Sequence, residues 1–158
     1  MSSELKTPDR SIVQHWLNEA GIECSICGEC PGLHLPTLQV LDGVAESRVF
    51  VEDYGLVLST ELELRQVAVL LLAADCARLN MDYPLLKIFQ DVVDDALPQL
   101  VAAAVLPTQP GVMEQQFIQF FRHAIEATSQ LVAECLHLEY LYLEPENSST
   151  SKPQNPIH

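Results

Sequence analysis

Gly111 to Tyr140 reads GVMEQQFIQFFRHAIEATSQLVAECLHLEY, and the spacing within it decides the fold. Met113, Phe117, Phe120, Phe121, Ala124, Ile125, Thr128, Leu131, Val132, Cys135 and Leu138 recur at three- and four-residue steps. That is the period of one helix face. Glu114, Gln115, Gln119, Arg122, Glu126 and Glu134 fall on the other face. Pro110 and Gly111 mark the start, and Pro145 blocks any continuation at the far end. An apolar stripe this long needs a broad apolar partner, and in a chain of this size that partner is a sheet.

The upstream sequence supplies the sheet. Thr7-Pro8-Asp9 opens a short amphipathic helix over 8–20, with Pro8 at its first position, Ile12, Val13, Trp16 and Leu17 on one face, and Gly21 at its end. Residues 1–6 are expected to fray. Ile22, Cys24 and Ile26 alternate, residues 27–32 read as a turn, and Leu33 and Leu35 resume the alternation. This is a strand, turn and strand, or one strand with an irregular insert. Asp42-Gly43 is a turn signal, and 49–53 and 56–60 form a hairpin around Tyr54-Gly55.

Residues 61–80 read as a second helix, apolar nearly all round. Between Val67 and Leu79 only Asp75 and Arg78 are polar, three apart and able to pair. Such a helix is buried on more than one side, by its own fold or by a second protein. Leu71, Leu72 and Leu79 are the candidate dimer or partner surface. Strands come next over 84–91 and from Pro98 through the apolar run 100–106, whose alanines leave strand and helix hard to separate. The order is α-β-β-β-α-β-β-α. One α+β domain is expected over 1–143, and a disordered polar tail over 144–158.

Composition narrows the function. A hydrophobic content of 48% supports a real core in one domain of 158 residues. Eight Lys and Arg against 22 Asp and Glu give a net charge of −14, which argues against nucleic acid as a direct partner. The sequence has no secretory leader pattern and no apolar run long enough to span a membrane. Five cysteines with no disulfide framework suit reduced thiols in the cytoplasm.

Two groupings bear on chemistry. Cys24, Cys27, Cys30 and His34 crowd one short stretch, and thiolates with an imidazole suit zinc. Structural zinc sites usually join two separated ligand pairs, and here there is one CxxC-like knuckle with extras. The expectation is therefore no metal and no cofactor, these four being the ligands if one binds. A redox CxxC normally opens a helix, and Pro31-Gly32 argues against one. Asp91, Asp94 and Asp95 read as a solvated acidic turn. With no GxSxG and no phosphate-binding glycine loop, the chain reads as non-enzymatic.

Taken together, Trp16-Leu17 with Gly21, Cys27-x-x-Cys30-x-x-Leu33-His34-Leu35-Pro36, Asp42-Gly43, Ala73-Ala74-Asp75, Asp94-Asp95-x-Leu97-Pro98, Gly111-Val112, Gln116-Phe117, Phe120 and Arg122 resemble the YbjN family. The resemblance covers about 11–137 and looks nearest to enterobacterial members such as the amylovoran repressor of plant pathogens. It leaves Cys24 outside the matching segment. It implies a fold like that of type III secretion chaperones. It also implies repressive regulation of exopolysaccharide, motility and virulence, with no catalytic residues to carry over. The expected partner is a protein, with a homodimer possible and neither nucleic acid nor membrane involved. A secretion-chaperone-like binder of a client, or a metal or redox sensor through Cys27, Cys30 and His34, is the alternative.

Overall fold

Residues 4–145 are described by a computed structural model. Residues 1–3 and nearly all of the expected polar tail lie outside the described residues. The elements run α1 Arg10–Glu19, β1 Ser25–Ile26, β2 Leu33–His34, α2 Pro36–Gln39, β3 Val44–Glu52, β4 Gly55–Glu63, α3 Val69–Asp82, β5 Lys87–Asp91, β6 Gln99–Pro107 and α4 Glu114–His137, with a 3-10 turn at Gln66–Ala68 leading into α3. The strands form one antiparallel sheet in the order β1-β2-β3-β4-β6-β5.

The α+β architecture is the one the sequence reading anticipates, with differences that have local causes. The two short strands flanking the turn at 27–32 are two residues each, and the helical turn α2 comes after them unforeseen. Residues 61–63 belong to β4, not to the second helix. Leu62 and Leu64 continue the inward alternation of Leu56, Leu58 and Thr60, while Glu61 and Glu63 stay outside. Pairing Glu61 with Val101 and Glu63 with Gln99 then holds this segment in the ladder. Helix α1 begins at Arg10, because the Asp9 side chain accepts a hydrogen bond from the Ile12 amide at 2.9 Å and caps it. Pro8 therefore precedes the cap instead of taking the first helical position. Lys6 is not frayed: it exchanges backbone hydrogen bonds of 3.0 and 2.8 Å with Val112. The alanine-rich run 99–107 is a strand.

Helix α4 lies over β4 and β6 and also meets α1 and α2. Phe117 and Phe121 are fully buried, their ring centroids 4.6 Å apart, and Trp16 of α1 meets the Phe117 ring edge-on at 5.1 Å. Ala102 and Ala104 turn small side chains into the core from β6. Ser47 and Thr60, buried on paired strands, satisfy each other at 3.0 Å. At the β3–β4 turn only glycine fits position 55. Its φ is +153°, and a Cβ there would strike the Leu106 carbonyl.

Helix α3 closes the β5 edge of the sheet. The Asn80 side chain accepts from the Ile88 amide and donates to the Ile88 carbonyl, both at 2.9 Å, as a neighbouring strand would. The Gln90 side chain donates to the Val69 carbonyl at 3.0 Å. These bonds fix which side of α3 faces the fold.

Candidate functional site

The inward side of α3 carries Leu72 and Leu79, both completely buried. That corrects their assignment to a partner surface: they are core, held there by the docking of α3 against β5. Leu71 is different, at 63% exposure. At about 100° per residue, Leu70, Ala74, Ala77 and Met81 lie on the side opposite Leu72 and Leu79, and Val67 precedes them in the 3-10 turn. Val67 is 69%, Leu70 82% and Met81 75% exposed. The near-continuous apolar character of α3 is thus split. One face is used by the fold and the other lies open.

Beside this face, Arg78 ties α3 to α4. Its guanidinium donates to both Asp75 carboxylate oxygens at 2.7 and 2.8 Å, to Asp82 at 2.9 Å and to Glu134 of α4 at 2.8 Å. The hydroxyls of Tyr83 and Tyr140 donate to Glu134 at 2.6 Å and to Asp75 at 3.0 Å. The Arg78 hydrogen bonds lower the Asp75 pKa, and those of Tyr83 and then Arg78 lower that of Glu134. Leu71, Ala74, Leu138 and Tyr140 border the network around an open depression of about 520 Å³. One guanidinium serves three carboxylates, and every one of these charged groups is hydrogen-bonded within the network, so it reads as a brace with an apolar rim.

The second grouping lies at the other edge of the sheet. The β1–β2 pairing sets Ser25 opposite His34 and Ile26 opposite Leu33, so residues 27–32 form the connecting loop. Gly28, at φ +80°, turns the chain, and Gly32 passes so close to Arg48 and Phe50 of β3 that a Cβ would sit 3.0 Å from the Phe50 ring. This path brings three of the four candidate ligands together. Cys27 Sγ lies 3.4 Å from Cys30 Sγ, and Cys30 Sγ lies 3.3 Å from His34 Nε2. Cys24 does not join them: its thiol points to Asn18 Oδ1 at 3.7 Å. The other imidazole nitrogen, Nδ1, lies 3.3 Å from Gln39 Oε1 and 3.3 Å from Glu46 Oε2. The Glu29 amide, followed by the Cys30 and His34 side chains, holds the Cys27 thiol down at about 7. Burial pushes the Cys135 thiol the opposite way, to about 12. All five cysteines are free.

Asp91, Asp94 and Asp95 are exposed, and no imidazole or thiol gathers with them among the described residues. The sequence reading missed Glu46 and Gln39. Neither carries a local signal, because one belongs to β3 and the other to a helical turn that only the fold places beside His34. Among the described residues, no helix is long and apolar enough to cross a membrane.

Comparison with known proteins places these features in context. A family model described as "Putative bacterial sensory transduction regulator", the YbjN family, matches residues 9–137. The YbjN proteins of Escherichia coli K12, E. coli O157:H7 and Shigella flexneri, each called uncharacterized, are 35% identical to the chain over 132 residues, 84% of either sequence. A crystal structure of E. coli YbjN, described as "a putative transcription regulator", superposes with a TM-score of 0.85 at 34% identity. It covers 89% of this chain and 99% of the other.

Proposed function

Because the chain belongs to the YbjN family of regulators, we propose that it is a non-enzymatic cytoplasmic regulator that works by binding another protein. The carrying observation is the open side of α3, where Leu70, Leu71 and Met81, with Val67 in the turn leading into the helix, expose large apolar side chains while Leu72 and Leu79 are docked in the core. A contiguous apolar face of this kind marks an interaction surface. Its partner would be an amphipathic segment laying i, i+3, i+4 anchors along the open side of α3, with Leu71 at the edge nearest α4. A net charge of −14 favours a segment whose polar side is basic and disfavours direct contact with DNA. Repression would then be indirect. Restraint of exopolysaccharide production, motility and virulence is the role this reading extends to the chain from the family resemblance.

The test compares tagged wild-type protein with Leu70→Asp and Leu71→Asp variants as bait in soluble lysate from the native host. A basic regulatory protein recovered near one-to-one by the wild type and lost by both folded variants supports the reading. Recovery by all three baits alike removes this face. A secreted client in that position favours the chaperone alternative. A second copy of the chain makes the face a dimer interface. Exopolysaccharide and swimming assays on a deletion strain complemented with each variant then test the cellular role.

A further inference from the structure

The cysteine-histidine cluster stands apart from the α3 face and serves no evident packing purpose. Cys27 is exposed, and the loop that carries it adds little to the core. Cys27, Cys30 and His34 are the only group of three or more His, Cys, Asp or Glu side chains, among the described residues, whose ligand atoms lie close enough to share one ion, all within 4.8 Å of one another. We propose that Cys27 Sγ, Cys30 Sγ and His34 Nε2 form a three-residue zinc site whose fourth position opens to solvent.

Geometry carries the proposal. A tetrahedral zinc ion with thiolate bonds of about 2.3 Å and an imidazole bond of about 2.05 Å sets S···S edges of about 3.8 Å and S···N edges of about 3.6 Å. The Cys27–Cys30 and Cys30–His34 separations of 3.4 and 3.3 Å need a spread of a few tenths of an ångström, and the third edge, Cys27 to His34, lies within 4.8 Å. Cys27, exposed on its loop, is the ligand free to adjust.

The surroundings of His34 point the same way. Its Nδ1 faces two oxygens, Gln39 Oε1 and Glu46 Oε2, each at 3.3 Å. A carboxylate only accepts, so Glu46 favours the tautomer with the proton on Nδ1, which in the neutral imidazole leaves the Nε2 lone pair facing the thiols. Gln39 Nε2 also donates to Glu46 at 3.2 Å, which locks the carboxylate in place. A carboxylate behind a histidine whose far nitrogen faces cysteines is the usual supporting arrangement of a zinc ligand. Arg48, held by Glu61 at 3.1 Å, packs against Gly32 at the base of the same loop. Two thiolates and a neutral imidazole leave bound zinc with no net charge. A water, a small thiol or a donor from a partner completes the tetrahedron.

The test uses the full chain, reduced and stripped of metal, titrated with Co²⁺ alone and then with Zn²⁺ alone. One Co²⁺ per chain, with thiolate-to-cobalt charge-transfer absorption and intense visible bands of a tetrahedral site, is expected. Equimolar Zn²⁺ should erase both. Cys27→Ser and Cys30→Ser should abolish the charge-transfer band, and Cys24→Ser should leave it intact. Glu46→Gln, which touches no metal, should weaken zinc about 10- to 100-fold by loosening the His34 ring. Circular dichroism of each variant confirms that the fold persists. A folded, reduced wild type that shows no saturable thiolate–cobalt band overturns the site. So does a band that survives Cys27→Ser.

Discussion

Three successive leucines of α3 give the sharpest test of how this helix is used. Leu70, Leu71 and Leu72 are exposed to 82%, 63% and 0%. Truncating Leu72 to alanine removes core atoms and leaves a cavity, at a cost of about 2–5 kcal/mol. For a domain of this size each kcal/mol moves the melting temperature by about 2–4 °C, so Leu72→Ala should lower Tm by about 4–20 °C. Leu71→Asp should cost less than about 1 kcal/mol, mostly helix propensity and repulsion from Asp75 one turn on. Its effect belongs to binding. Full burial of a leucine is worth about 1.5–3 kcal/mol, and a side chain still 63% exposed retains about 1–2 kcal/mol of that for a partner. At about 1.4 kcal/mol per decade, the partner should bind at least 5- to 30-fold more weakly. The inserted carboxylate adds its own desolvation cost. Thermal melts and a calorimetric titration with the partner recovered by the wild-type bait measure both quantities. A normal Kd for Leu71→Asp would refute the outer face as the docking surface. A wild-type Tm for Leu72→Ala would refute the division of the helix into two faces.

Single contacts yield further expected outcomes. Asn80→Ala should cost about 1–3 kcal/mol and speed hydrogen exchange at the Ile88 amide, which loses its acceptor at a buried edge; an unchanged urea midpoint would count against the side-chain seal. Gly55→Ala should destabilise by about 1–3 kcal/mol, since the position has φ +153° and no room beside the Leu106 carbonyl. The native pKa values of Asp75 and Glu134 lie below their unfolded values, so their contribution is present above the ordinary carboxylate range near 4 and is lost as pH falls through the lowered native values. Replacing Arg78 with methionine should therefore lower stability at neutral pH and flatten its decline in acid, read by urea titrations across pH 2–7. An acid slope identical to wild type would mean that the network adds nothing.

The long helix was legible because its register is local. Phe117, Phe121, Ala124, Thr128, Leu131 and Cys135 repeat at helical steps and are all buried in the structure. The Asp75–Arg78 pair was legible for the same reason, being one turn apart. The start of α3 was misread because Leu62 and Leu64 fit either period over so short a window, and the cross-strand partners on β6 decided between them. Cys27, Cys30 and His34 were visible as residue types, but spacing along the chain carries no trace of Glu46, which lies 3.3 Å from His34 Nδ1 across the sheet.

By itself, the sequence determined the α+β class, the register of α1 and α4, the hairpin, the acidic character and the family resemblance. Each of these depends on neighbours within a few residues, on overall composition, or on motifs read in order along the chain. Only the tertiary structure decided which face of α3 is core. That choice rests on β5 presenting Ile88 to Asn80, and on α4 presenting Glu134 to Arg78 from far along the chain. It likewise decided that Cys24 stands aside while Cys27, Cys30 and His34 converge. Their meeting depends on a turn, two short strands and the passage of Gly32 over β3, contacts distant in sequence that pattern along the chain does not encode one by one.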